Sequence, residues 1–445
     1  MKKILIGILL SIILLAPYIS AVHYQYNYVI ITTNAIVEES QKLDDFIQHK
    51  ESMGFHVLVV TEDDFDHLEG EYPNERPDKI RQWLIDNYQQ MDIEYVLLIG
   101  DPTPDTRDGK SILEQNQAYS IPMKTFEDTS QLIGRIVLLE PVFENPSDYY
   151  YADLDSNWNP IFKNTCGDAF DFATRQINMD AEVYVGRIPT YDNTIDGLDD
   201  ILQRTMEYET DEDTSWHQSG LFAASFSSVI YDDALVWEQT IKDFAPKNFT
   251  IYRQYMQGSF HPLMNSIFES EEELRNNTVV NCLQHDSFGL VAIASHGSRN
   301  STSIGCSSIG YDGKILTTET AKQIPDDNPS MFFIKSCTTG YPEGINLGYS
   351  LLKHTGVGVV CSSRETWYHM EPYFRYMPID YGDCGMFYRI VGNALQGQPI
   401  GKALYDGKEN ISTLILFKIP AYKHCMNLMR TNLYGDPSIH LKITT

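Results

Sequence analysis

The sequence predicts an α/β protein with mostly parallel sheets, arranged as two subdomains. Two patterns carry this prediction. Short apolar runs of strand length alternate with amphipathic stretches of helix length over most of the chain, and a helix between two strands returns the chain so that the strands lie parallel. The alternation breaks once, at the acidic stretch Glu207–Trp216, and then restarts. With 445 residues, 42% of them apolar, the chain can fill a core on both sides of that break. Aromatic residues make up 12% of it, which excludes a disordered protein.

Residues 1–21 stand outside the fold. Lys2 and Lys3 precede an apolar run from Ile4 to Leu15, and small residues lead to Ala21. This is the pattern of a secretory signal peptide cleaved near Ala21. The run is short for a membrane span and Pro17 interrupts it; an uncleaved N-terminal anchor facing outside is the alternative. No second run of membrane length follows. A secreted or extracellular protein without a stable membrane span is therefore expected.

Residues 22–210 form the first expected subdomain. Tyr28–Thr32 is rich in Val and Ile, whose branched side chains suit a pleated strand. Glu38–Met53 has helical periodicity and ends at Gly54. His56–Thr61 is the next strand and Asp78–Tyr88 the next helix. Tyr95–Ile99 is a strand stopped by Gly100-Asp101-Pro102, and Ala181–Pro189 and Asp196–Tyr208 complete the set as strand and helix.

Residues 211–445 form the second. Leu221–Phe226, Phe249–Tyr255 and Gly356–Ser363 read as strands, and Asp233–Phe244, Glu271–His285 and Ile345–Lys353 as helices. Two further apolar runs lie between them: Gly289–Ala294, followed by Ser295 and His296, and Met331–Ile334, followed by Lys335, Ser336 and Cys337. The tail reads as largely helical and closes with Leu433–Leu441, a turn into a short strand.

The net charge of −28 and the pI near 4.7 exclude nucleic acid as a partner. They favour cationic partners and divalent cations. The seven Cys are Cys166, Cys282, Cys306, Cys337, Cys361, Cys384 and Cys425, and none forms a C-x-x-C pair. A zinc ribbon or a thioredoxin motif is thereby excluded. An odd count leaves at least one thiol unpaired within the chain, and Cys337 is the candidate. Sequons at Asn248, Asn276, Asn300 and Asn410 are compatible with export.

The chemistry concentrates at the two apolar runs that end in His296 and Cys337. If those strands are parallel neighbours, a base and a nucleophile emerge together at the carboxyl edge of a sheet. Cleaving a peptide bond needs a nucleophile, a proton donor for the leaving amine and donors for the oxyanion. Cys337 supplies sulfur, and His296 supplies the proton transfer. Gly297 lacks a Cβ and admits close backbone approach; its N–H and that of Cys337 are the candidate oxyanion donors. No H-E-x-x-H, P-loop or G-x-S-x-G sequence competes with this pair.

A second constellation lies at Asp153, Asp155, Asn157 and Asn159, where side-chain oxygens alternate along a loop as a hard cation requires. It is not an EF-hand, because Trp158 and Asn164 stand where that loop needs Gly and Glu. A structural calcium ion is expected there, against the plainer alternative of a loop capped by its own side chains.

Four more segments accompany the His and Cys strands in order: Tyr95–Asp101 (YVLLIGD), Asp148–Asp155 (DYYYADLD), Glu182–Pro189 (EVYVGRIP) and Leu433–Ser438 (LYGDPS). Together the chain resembles the gingipain-like cysteine peptidases of the caspase–hemoglobinase fold clan, over roughly residues 26–441. The resemblance implies caspase-like three-layer subdomains and an endopeptidase with Cys337 as nucleophile, His296 as base and acid, and protein or peptide substrates. It implies an acidic group near the His, with Asp148 the first candidate and Asp153 the second. It implies a wall of the S1 pocket after the next strand, where Trp367 stands, and a preference for a basic P1 residue, for which Asp180 is the candidate. The same dyad would also serve a processing transpeptidase, and a catalytically silent caspase-like domain for surface binding or assembly would share the fold. The first strand follows the signal peptide almost directly and the chain ends soon after Pro437, so neither a long pro-segment nor a further C-terminal domain is expected.

Overall fold

Eleven strands join into one sheet. Their order is Glu272–Glu273, Thr250–Tyr255, Ser219–Ala224, Leu290–Ala294, Ser330–Lys335, Gly356–Ser362, Thr431–Gly435, Tyr184–Pro189, Tyr95–Gly100, Tyr28–Ile31 and Val57–Val60. The computed structural model describes residues 25–71, 74–104, 117–128, 144–156, 158, 162–164, 167–170, 180–228, 231–258, 264–305, 313–367, 382–415 and 421–443. Every neighbouring pair in the large sheet is parallel except one: Thr431–Gly435 runs antiparallel to Gly356–Ser362. That seam divides the sheet into two parallel halves of opposite direction. One half combines the four strands that residues 22–210 give this sheet with Thr431–Gly435 from the second expected subdomain, and the other holds that subdomain's remaining strands of the sheet.

Side chains alternate across the sheet with the strand period of two. Met331 and Phe333 belong to one buried core, and Phe332 and Ile334 to the other. Helices Glu75–Met91, Ala234–Phe244 and Gly382–Leu395 fill the first core, through residues such as Leu84, Trp237 and Phe387. Helices Leu43–Ser52, Leu198–Thr210 and Leu347–His354 fill the second, through Phe46, Leu202 and Leu351. A sheet covered on both faces explains why the central strands read as continuous apolar runs. Truncating a buried Phe such as Phe332 would cost about 3–5 kcal/mol.

The seam determines which ends meet. Ser362 pairs with Thr431, and Tyr434 pairs with Arg187. The start of Tyr184–Pro189, not its end, therefore lies at the edge where the His and Cys strands finish.

Local differences from the sequence expectation have visible causes. The single helix expected over Glu38–Met53 is two helices, Asn34–Glu39 and Leu43–Ser52. Ser40 between them is extended, and its Oγ accepts from Leu43 N at 3.1 Å and donates to Asp199 at 2.6 Å. The helix expected over Glu271–His285 is shortened to Thr278–Leu283, because Glu272–Glu273 pairs with Gln254 and Tyr255 as an edge strand and Asn277 is left-handed at φ 63°. The final strand, Thr431–Gly435, precedes the Asp436–Ser438 turn instead of following it. Among the described residues no helix is long and apolar enough to cross a membrane.

Candidate active site

The His and Cys strands are parallel neighbours, with Leu290 opposite Met331 and Ala294 opposite Lys335. His296 and Cys337 each lie two residues beyond that last pair, so both emerge at the same level. Ser295 N donates to Lys335 O at 3.1 Å, and the Ser295 and Ser336 hydroxyls lie 3.0 Å apart, which extends the pairing past the strands. Beyond this point the chains diverge. His296–Ser298 joins a small antiparallel sheet with Ser301–Ser303 and Lys314–Thr317. Cys337 enters a turn in which Thr338 has φ 62°, a region unfavourable for a β-branched residue. Bonds from Thr338 N to Arg364 O (3.0 Å) and from Gly340 N to Ser362 O (2.9 Å) hold that turn.

Gly297 is where the two loops touch. A Cβ there would overlap the Cys337 carbonyl oxygen and stand 2.7 Å from Ser336 Cβ. The missing side chain thus admits the backbone of Cys337 itself. The Cys337 N–H has no acceptor among the described residues.

The thiol is enclosed by Thr366, in the turn after Gly356–Ser362. Thr366 N–H donates to Sγ at 3.4 Å, and Thr366 O and Oγ1 lie 3.7 and 3.8 Å from it. Thr366 Oγ1 in turn donates to Asp383 Oδ2 at 3.2 Å. Burial pushes the thiol pKa up, with Asp383 adding to the rise and the Thr366 N–H opposing it. Burial pushes the His296 pKa down, aided by Lys335 and opposed by Asp233, a hydrogen bond to the Ser227 backbone and Asp383. Both shifts disfavour the charged form of the group concerned.

The acid whose charge bears most on His296 is Asp233, directly before helix Ala234–Phe244. Asp233 is buried; its Oδ2 accepts from Ser227 Oγ at 2.6 Å and its Oδ1 from Lys335 Nζ at 3.2 Å. Asp148, the acid expected there from the sequence, has a different partner. It is buried in a two-pronged pair with Arg187, at 2.8 Å to Nε and 2.6 Å to Nη2. Its charge acts on Arg187, Cys361, Tyr405 and Lys408, not on His296. The buried Arg187 needs a carboxylate, and Asp148 is the one that reaches it. Asp233, Lys335, Thr366 and Asp383 went unassigned in the sequence. Only Lys335 left a signal, as a lone cation at the end of an apolar strand.

Trp367 follows Thr366 directly and is half-buried; its N–H and C=O are clamped by the Asn427 side chain at 2.8 and 2.7 Å. Asp180 is exposed just before Tyr184–Pro189, hence at the edge that carries Cys337. Asp153 is buried, and its Oδ1 accepts from Ser156 N at 3.1 Å while its Oδ2 has no hydrogen-bond partner among the described residues. Burial pushes its pKa up to about 7, and neighbouring Glu182 contributes to the rise. Asp153, Asp155 and Glu182 bring carboxylate oxygens within 4.8 Å of one another. Glu182, distant in sequence, was not anticipated; Asn157 and Asn159 lie outside the described residues. Cys282, Cys337, Cys361 and Cys384 are free thiols. Cys166, Cys306 and the side chain of Cys425 lie outside the described residues.

Comparisons with known proteins bear on the family and the fold. The model of peptidase family C25 matches residues 22–442. No curated protein matches the sequence. Among solved structures, the Arg-specific cysteine proteinase gingipain R (RgpB) superposes with a TM-score of 0.59 at 16% identity, covering 94% of this chain and 78% of that one. A complex of the Porphyromonas gingivalis RgpB pro- and mature domains gives 0.59 at 16%, covering 93% and 79%. At such identity the likeness is one of fold.

Proposed function

The chain belongs to peptidase family C25, and from that premise we propose that it is an exported cysteine endopeptidase with Cys337 as nucleophile and His296 as base and acid. That it is a cysteine-type peptidase, a hydrolase acting on protein substrates, follows from the family itself. The observation that carries the residue assignment is the register of Ala294 with Lys335, which brings His296 and Cys337 level across two adjacent strands.

The reaction runs as follows. His296 removes the Cys337 proton as sulfur attacks the peptide carbonyl carbon. The oxyanion forms against the N–H groups of Cys337 and Gly297. As the C–N bond breaks, the imidazolium returns its proton to the leaving amine and a thioester remains. His296 then deprotonates a water that attacks the thioester, the acid product departs, and the thiol regains its proton. An amine in place of that water would give transpeptidation.

Substrate choice belongs to the same edge. Trp367, beside the Thr366 that encloses the thiol, would form a wall of the S1 pocket. Asp180, about three strand spacings or ~14 Å across the sheet, would favour a basic P1 side chain, in keeping with the net charge of −28. The test is cleavage of a fluorogenic peptide library varied at P1. Basic P1 residues should dominate, and Cys337→Ala should abolish turnover. Unchanged cleavage by that variant would remove the peptidase assignment from Cys337. A flat P1 profile would remove Asp180.

Calcium would serve as a structural ion at Asp153, Asp155 and Glu182. The fit rests on the buried Asp153 Oδ2, which has no hydrogen-bond partner among the described residues, and on an all-oxygen ligand set suited to a hard cation. A bound ion would tie the loop to the start of Tyr184–Pro189. Calcium should raise Tm by several degrees, and Asp153→Asn should erase the rise, read by thermal melts with and without chelator. An equal rise in both proteins would place the ion elsewhere.

A further inference from the structure

Lys335 ends the strand that delivers Cys337. Alternation puts its side chain on the face of Met331 and Phe333, against helices Ala234–Phe244 and Gly382–Leu395. It is buried, and a buried ammonium must be paired. Here it meets two carboxylates. Nζ lies 3.2 Å from Asp233 Oδ1 and 3.4 Å from Asp383 Oδ1. Asp233 and Asp383 are themselves buried. One carboxylate would suffice to pair Lys335, so the second is surplus to that pairing.

The surplus lies beside the reacting groups. The groups that bear on His296 are Asp233 from the start of one helix, Asp383 from the start of the other, Lys335 from the strand and the Ser227 backbone. Those that bear on Cys337 are Thr366, Asp383 and Glu365. Asp383 also accepts the Thr366 hydroxyl proton at 3.2 Å, which turns the Thr366 oxygen lone pairs toward the thiol. Two chains of contacts thus leave Lys335: through Asp233 toward His296, and through Asp383 and Thr366 to Cys337.

We propose that Lys335 and Asp383, joined to Asp233, form a buried cluster that positions the catalytic pair. Asp233 takes the place of the acidic group near the His that the resemblance implies; what Lys335 and Asp383 add is to hold Asp233 and Thr366 in place. Asp383 fixes Thr366 and so the thiol rotamer. Lys335 pairs with both carboxylates and so holds them in place. All three are positioning residues, and the proposal rests on the assignment of Cys337 and His296 above.

The test is the pH dependence of two rates in the full chain: iodoacetamide alkylation of Cys337, which needs no substrate, and kcat/KM on a cleaved peptide. Asp233→Asn and Asp383→Asn keep shape and leave Lys335 one carboxylate each; Thr366→Val removes only the hydroxyl link. Asp383→Asn removes a charge that raises the thiol pKa, so its alkylation midpoint should move to lower pH. Asp233→Asn removes a charge that raises the His296 pKa, so the acid limb of kcat/KM should move to lower pH while kcat falls about 10- to 100-fold and KM holds. Thr366→Val should lower kcat with KM unchanged. Melts of each variant confirm folding. Folded variants whose midpoints, limbs and kcat all equal those of the parent would overturn the cluster, even with a lowered Tm. If both Asn variants fail to fold, Thr366→Val decides alone: unchanged kcat overturns the proposal. Loss of activity in Cys337→Ala together with parental behaviour in these variants would sink the cluster and spare the dyad. Retained activity in Cys337→Ala would sink the dyad first.

Discussion

His296 and Cys337 are both half-buried at the sheet edge. Burial acts in opposite directions on the two pKa values, down for the imidazole and up for the thiol. The pH consequence follows from the signs. A base whose pKa lies below its ordinary 6.5 stays neutral and competent at pH 7, and it is lost only as pH falls through that lowered value. The acid limb of kcat/KM should therefore be centred below pH 6.5, as measured with a substrate that does not itself titrate there. A limb above that value would mean that a different group is titrating. This pair was legible in the sequence because each residue ends an apolar run beside small neighbours. Asp233 was not: it sits in an ordinary Asp-Asp helix start, and only the fold carries it to His296. Asp148 misled for the converse reason, since an acid within an aromatic segment shows nothing of the arginine it neutralises.

Elements impose their own constraints. The Tyr184–Pro189 strand carries Arg187 into the interior, where Asp148 meets it from the segment after Glu144–Ser147 and Ile121 O takes a third hydrogen bond at 2.5 Å. Asp148→Asn would leave a buried guanidinium without its counter-charge, at a cost of about 3–5 kcal/mol. We expect a clear drop in the denaturant midpoint together with an unshifted pH–rate profile. A shifted profile with unchanged stability would return Asp148 to the catalytic group. Strand positions were readable from apolar runs, because a doubly covered sheet demands them. Helix limits were less so. Ser40 splits one amphipathic pattern through a side-chain hydrogen bond, and Asn277 shortens another by turning left-handed.

At the scale of the molecule, the last strand is the least local and the most consequential. Thr431–Gly435 lies mid-sheet between Gly356–Ser362 and Tyr184–Pro189, and it alone reverses direction against a neighbour. The sequence shows two runs of alternating strands and helices, and it could not show that the C-terminus sews them into one sheet. Removing residues 431–443 should abolish cooperative folding of both halves, read as loss of the melting transition. A truncated chain that still melts cooperatively would make the halves independent domains. The seam also sets the start of Tyr184–Pro189, with Asp180 and the Asp153–Glu182 cluster, on the edge that bears the thiol. The direct measurement is stoichiometric alkylation followed by intact mass and peptide mapping, with peptidase activity recorded in parallel. If Cys337 is the nucleophile, activity falls in step with one adduct at Cys337, while buried Cys282, Cys361 and Cys384 stay unlabelled in the native protein. Full activity with Cys337 alkylated, or inactivation with Cys337 intact, would contradict it.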